Sequence, residues 1–142
     1  MDAPSISMTR IIKAPPESVY EAWTTPSLLM KWWGPAGVEC TGAEIDLREG
    51  GAYRIANRHA DGSVTWISGI FERVRPPDEL VYSWSIGVPA ADGSRVTVEF
   101  RLHREGTELV LTHERLADGV RDMHVHGWTG CLDGLERLFA AS

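Results

Sequence analysis

Long apolar runs are missing from this protein: no stretch of its 142 residues approaches the roughly 20 apolar residues that a membrane-spanning helix requires. Met1 to Arg10 also lacks the basic start and apolar centre of a secretory signal, so the expected location is the cytoplasm. Cysteine is scarce. Cys40 and Cys131 stand far apart without a Cys-x-x-Cys spacing, which argues against a disulfide framework or a zinc site and makes free thiols the expectation. Positive charge is short as well, with 14 Lys and Arg against 20 Asp and Glu and no local basic stripe, so nucleic acid is not an expected partner. Serine elbows, phosphate-binding glycine loops and paired-acid motifs are absent, and neither a cofactor nor a metal is expected. With 43% hydrophobic and 24% charged residues, what remains is the balance of one globular domain over residues 1–142.

Phe and Tyr are sparse at three each, whereas Trp occurs six times. Trp supplies a flat apolar wall with one N–H to satisfy, so six of them suit either a cavity lining or an ordinary core. The longest periodic segment is Val120 to Phe139. Trp128, Leu132, Leu135 and Phe139 recur there at helical spacing, with Cys131 and Leu138 widening the arc, and Asp118 or Gly119 provides a start signal. Asp122, Thr129, Asp133, Glu136 and Arg137 fall on the other side. Beside the arc run Gly127, Gly130 and Gly134, each costing up to about 1 kcal/mol against Ala inside a helix. Two explanations stand for them: a sheet packed closely on the helix backbone, or space left for a ligand.

Before this helix the sequence predicts one strand (Ile6, Met8, Ile12), in which Arg10 takes a position suited to an apolar residue. Two short helices follow, opened by Pro15-Pro16 and by Thr25-Pro26. About six consecutive strands come next, with turns at Gly50-Gly51, Ala60-Asp61-Gly62, Arg75-Pro76-Pro77-Asp78, Pro89-Ala90-Ala91-Asp92-Gly93 and Glu105-Gly106. Consecutive strands with short turns pair antiparallel. The expected class is α+β: a curved antiparallel sheet of about seven strands around the C-terminal helix, with a pocket of roughly 300–1,000 Å³ where the sheet bends away from it. One strand resists face assignment. Between Thr65 and Val74 apolar residues occupy both parities, so it is either covered on both sides or bulged near Gly69.

The segments Ala14-Pro15-Pro16-Glu17-Ser18-Val19, Ala22-Trp23-Thr24, Trp32-Trp33-Gly34-Pro35, Asp46-Leu47-Arg48-Glu49-Gly50-Gly51, Pro76-Pro77-Asp78-Glu79-Leu80-Val81-Tyr82 and His126-Gly127-Trp128 closely resemble the AHSA-like branch of the START/SRPBCC superfamily. That branch is named after the C-terminal domain of the activator of heat-shock-protein-90 ATPase. The resemblance implies the helix-grip fold and a mostly apolar cavity between sheet and helix. Proteins of this kind include co-chaperone domains, carriers and sensors of lipids or polyketides, and polyketide cyclases, so fold alone does not choose among them. The additional N-terminal domain of a full co-chaperone is not seen in this sequence.

The expected ligand is a small apolar or aromatic molecule. Inward parity assigns the cavity wall to Tyr53, Tyr82, Trp84, Phe100, Leu102, Leu109, Leu111 and His113, with Trp23 and Trp32 or Trp33 closing one end. Trp66 is a candidate whose face is open, and the helix contributes His124, Trp128, Cys131, Leu132 and Leu135. His113 and His124 are the polar groups at buried positions, suited to orienting a ligand, to proton transfer, or to a bond with backbone at the core edge. A cyclase or hydrolase using one of them is the first alternative, and a chaperone-interaction module the second. His124 and His126, two residues apart on a helix, are not expected to chelate a metal. Homodimerisation through a sheet face or edge stays open.

Overall fold

The structure is a computed structural model that describes residues 5–34, 37–86, 94–116, 119 and 121–140. The expected loop at Pro89–Gly93, and Pro35, Asp118 and Val120, lie outside the described residues. Strand β1 (Ile6–Ile12) is followed by helices α1 (Pro16–Thr24) and α2 (Pro26–Trp32). Strands β2 (Glu39–Ile45), β3 (Ala52–Arg58), β4 (Val64–Arg75), β5 (Glu79–Ile86), β6 (Ser94–His103) and β7 (Gly106–Glu114) follow, and then helix α3 (Arg121–Ala140). The seven strands form one sheet in the order β1-β7-β6-β5-β4-β3-β2, every pair antiparallel. This is the helix-grip arrangement expected from the sequence.

Local chemistry explains the helix starts. Pro16 occupies the first turn of α1, where its missing N–H removes no helical bond, and Glu17 stands at the positive end of the dipole. Pro26 repeats the device in α2, but the Thr25 side chain makes no capping bond there; its carbonyl instead accepts the N–H groups of Leu28 and Leu29. Strand parity obeys the one-sided cover. Val96, Val98 and Phe100 face inward on β6 opposite His113, Leu111 and Leu109 on β7, all six buried.

The ambiguous strand is bulged. Ile67 pairs with Ile86 and Phe71 with Tyr82, but Arg73 pairs with Val81, so an extra residue, Glu72, enters β4. Ile67 and Phe71 are therefore inward before the bulge and Val74 after it, while Trp66 and Ile70 face outward. The bulge lies three residues beyond the expected position at Gly69. Gly69 has its own reason: a Cβ there would sit 1.9 Å from the Ser83 carbonyl oxygen and 2.8 Å from the Tyr53 ring.

Arg10 acquires an explanation across the sheet–helix gap. Its guanidinium donates to Asp133 Oδ1 and Glu136 Oε2 of α3, both at 2.8 Å, clamping the second half of the helix to the edge strand. Removing both bonds in Arg10→Ala is expected to lower stability by about 1 kcal/mol, since both carboxylates are part-exposed. A denaturant midpoint that does not move would show the clamp to be energetically idle.

Candidate functional site

Five of the six tryptophans meet under α3. Trp23 lies 4.8 Å from Trp32 between ring centroids and 6.2 Å from Trp128, nearly parallel to the latter. Trp33 continues the cluster at 5.5 Å from Trp32, 5.4 Å from Trp128 and 6.1 Å from Trp84, and Trp84 closes it at 5.2 Å from Trp128. The cluster fills the middle of the space between sheet and helix. Beside it a void of about 20 Å³ is bordered by Trp23, Trp33, Tyr53, Phe71, Tyr82 and the aliphatic Leu29, Ile45 and Ile55, a volume suited to one water molecule.

A larger cavity of about 360 Å³ opens on the other side of Trp33. Its apolar wall is Trp33, Ile67, Trp84, Ile86, Trp128 and Cys131. Its polar border is Asn57 and the adjoining His59 and Thr65 from the β3–β4 hairpin, facing His124 and His126 from the first turns of α3. Gly127 and Met123 complete the helix side. A Cβ built on Gly127 meets nothing within 4 Å, whereas one on Gly134 would lie 2.3 Å from the Trp32 carbonyl oxygen. The glycine stripe thus serves both purposes at different positions. Gly134 admits close packing, against α2 rather than the sheet, and Gly127 leaves room beside the cavity.

The polar groups behind this wall are tied into a directed series of hydrogen bonds. Trp128 Nε1 can only donate, and it donates to His113 Nδ1 at 3.0 Å, which fixes the His113 proton on Nε2. Nε2 in turn lies 2.7 Å from Ser94 Oγ, whose hydroxyl reaches the Trp84 carbonyl at 3.3 Å. Burial, and secondarily the His124 ring 5.0 Å away, push His113 down to about 3. Both of its nitrogens are engaged, so its geometry is that of a fixed neutral core group. Trp33 Nε1 donates to Asn57 Oδ1 at 3.1 Å, which leaves the Asn57 amide N–H₂ as the arm for other partners. Burial pushes the Cys131 thiol up to about 12, so it is not a thiolate at neutral pH.

Among the residues predicted for the site, Trp84, His124, Trp128 and Cys131 border the larger cavity. Trp23, Tyr53 and Tyr82 border the inner void instead. Trp32, Phe100, Leu109, Leu111, His113, Leu132 and Leu135 are core; Phe100, for example, lies edge-on to Tyr20 and Trp23. Two expectations need correction. Trp66 is 39% exposed on the outer face under the Arg54 guanidinium, because the pre-bulge register turns it away from α3. Leu102 keeps inward parity but is 84% exposed, being next to the β6–β7 turn and beyond the helical cover. Sequence reasoning missed Asn57 and His59, although both continue the inward series of Tyr53 and Ile55, and it missed Thr65, Met123 and His126 as neighbours of one space, while for Gly127 ligand space was one of its two explanations.

A curved antiparallel sheet gripping a C-terminal helix, with a pocket beside that helix, defines a helix-grip domain of the START/SRPBCC superfamily. The family described as Activator of Hsp90 ATPase homolog 1-like protein matches residues 13–140, and the chain belongs to it. A solved protein from Chromobacterium violaceum is similar at 27% identity and a TM-score of 0.86, covering 96% of this chain, with 97% of its own length matched. An AHSA1-like protein from Aeromonas hydrophila is similar at 27% identity and a TM-score of 0.84, over 97% of this chain, with 93% of its own length matched. An AHSA1 protein from Silicibacter pomeroyi shares the fold at 23% identity and a TM-score of 0.84, over 97% and 99% respectively. No curated protein matches the sequence. No described helix is long and apolar enough to cross a membrane.

Proposed function

We propose that this protein binds a compact apolar or aromatic molecule in the 360 Å³ cavity between the first turns of α3 and the ends of β3, β4 and β5. The observation that carries the reading is Gly127, a helix-interior glycine whose missing side chain leaves open space at the cavity. A residue kept at a helical penalty for no packing gain suits a position that must stay clear. The tryptophan wall offers flat apolar contact, and the pocket is of small-molecule size, which favours ligand binding over the chaperone contact in the family description. The engaged nitrogens of His113 favour binding over proton-transfer chemistry at that residue. Two buried free thiols suit a reducing compartment, and we place the activity in the cytoplasm.

The test uses the neutral fluorophore N-phenyl-1-naphthylamine. Saturable binding that quenches tryptophan emission is expected, and Gly127→Leu, which projects a side chain into the cavity, should weaken it at least about tenfold. Equal binding by both proteins, or no binding by either, would place the function elsewhere.

A further inference from the structure

Among the described residues, the polar border of the cavity is free of carboxylates, and also of Lys and Arg, and offers hydrogen-bond donors. On the outer sheet face Glu39, Glu44, Glu72 and Glu99 are paired with Arg58, Arg54, Arg95 and Arg101. The strong acceptor at the border, Asn57 Oδ1, is already taken by the Trp33 N–H, so its amide presents donors. His59 Nε2 and Thr65 Oγ1 are 2.8 Å apart. Whichever of the two donates in that bond, the pair retains another donor beside a remaining acceptor: the Thr65 hydroxyl hydrogen if His59 Nε2–H donates, or His59 Nδ1–H if Thr65 donates. Trp84 Nε1–H, buried in the wall, has no acceptor among the described residues. His126 adds a further ring at the exposed rim.

A wall that offers donors from Asn57 and the His59–Thr65 pair and has no carboxylate among its described residues favours a ligand that brings a strong acceptor. The cavity also limits size. At an interior packing density of roughly 0.74, the 360 Å³ space holds a molecule of about 15 to 18 non-hydrogen atoms. Its mouth is wet, with Ile86 48% and Met123 57% exposed, so a charged group at the rim keeps part of its hydration. Resting on the binding role proposed above, we infer that the ligand is an aromatic acid of two or three rings. Its rings lie against Trp33, Trp84 and Trp128, and its carboxylate meets the donors of Asn57, the His59–Thr65 pair and His126. Hydrogen bonds to an ionised acceptor are stronger than those to a neutral one, which sets the acid apart from a ketone or amide of the same shape.

Two probes with the same ring system separate this inference from the one beneath it: 2-naphthoate and 2-ethylnaphthalene, each titrated into the protein and followed by tryptophan fluorescence. The expected result is saturable binding of both, with naphthoate tighter by on the order of tenfold. Asn57→Asp keeps an acceptor for the Trp33 N–H but replaces the donor arm with a carboxylate oxygen, so the naphthoate-to-ethylnaphthalene affinity ratio should fall by a similar factor. Equal affinities, or a ratio that Asn57→Asp leaves in place, would overturn the aromatic-acid inference and leave the binding role standing. Binding of neither probe would overturn both.

Discussion

Lowering the pH from 6.5 to 5 is expected to destabilise this protein by about 2 kcal/mol through His113 alone. In the unfolded state the imidazole titrates near its ordinary value of 6.5, whereas in the folded protein burial, and then the charge of His124, hold it down to about 3. Between those values the unfolded state binds the extra proton. Stability therefore rises with pH in that window, by up to about 1.4 kcal/mol per pH unit, is fully present above 6.5 and is lost as the pH falls towards 3. The structural cause is visible: a proton added at Nδ1 would leave two hydrogens, one on Trp128 Nε1 and one on the imidazole, pointing at each other across 3.0 Å. Unfolding free energies from denaturant titrations, taken at several pH values for the natural protein and His113→Gln, test this. The variant loses a few kcal/mol at pH 7 because the Trp128–His113–Ser94 series is disturbed. Its pH slope should be shallower by about one proton. Parallel slopes would mean that His113 is not the titrating core group.

The fate of His113 also shows where sequence reasoning stops. Its burial was legible, because Leu109, Leu111 and His113 share one parity on a strand whose other side is Glu108, Val110, Thr112 and Glu114. Its partners were not, because Trp128 and Ser94 come from a helix and a strand that only the topology brings to it. The same distinction runs through the site. A period of two gives the face of a strand but not the height along the sheet at which the cover ends. Leu102 and Trp84 are therefore indistinguishable in pattern, yet one lies outside the covered zone and the other in the cavity wall. Trp66 required the register shift at Glu72, a relation between two strands that neither strand encodes alone. Asn57 was hidden for a different reason. It continues the inward series of Tyr53 and Ile55, but a lone amide on an otherwise apolar series gains meaning only once Trp33 is seen to occupy its oxygen. The fold was the easier part, since prolines, tight turns and one long amphipathic helix leave few ways to arrange seven antiparallel strands.

Two alanine substitutions in one helix are expected to act in opposite directions. Both replace a helix-interior glycine of α3, and intrinsic propensity alone would make each stabilising by up to about 1 kcal/mol, partly through lost freedom in the unfolded state. At Gly127 nothing opposes that gain, because the added methyl meets no atom within 4 Å. At Gly134 the methyl would stand 2.3 Å from the Trp32 carbonyl oxygen and 3.3 Å from its carbon. These are backbone atoms at the end of α2, which cannot rotate aside as a side-chain tip would. Relief requires α2 to move away from α3, taking with it the Trp32 ring, bonded to the Ala22 carbonyl at 2.9 Å, and the Trp33 ring that separates the two cavities. Overpacking of this kind costs about 1–3 kcal/mol and occasionally more, enough to outweigh the propensity gain. Gly127→Ala should therefore raise the thermal midpoint and Gly134→Ala lower it. Because Trp33 is displaced, Gly134→Ala should also alter tryptophan emission and weaken probe binding, although its site lies outside the cavity lining. If both alanines raised the midpoint, α2 would have room to yield at Gly134, and Trp33 would not be held there by the contact between the two helices.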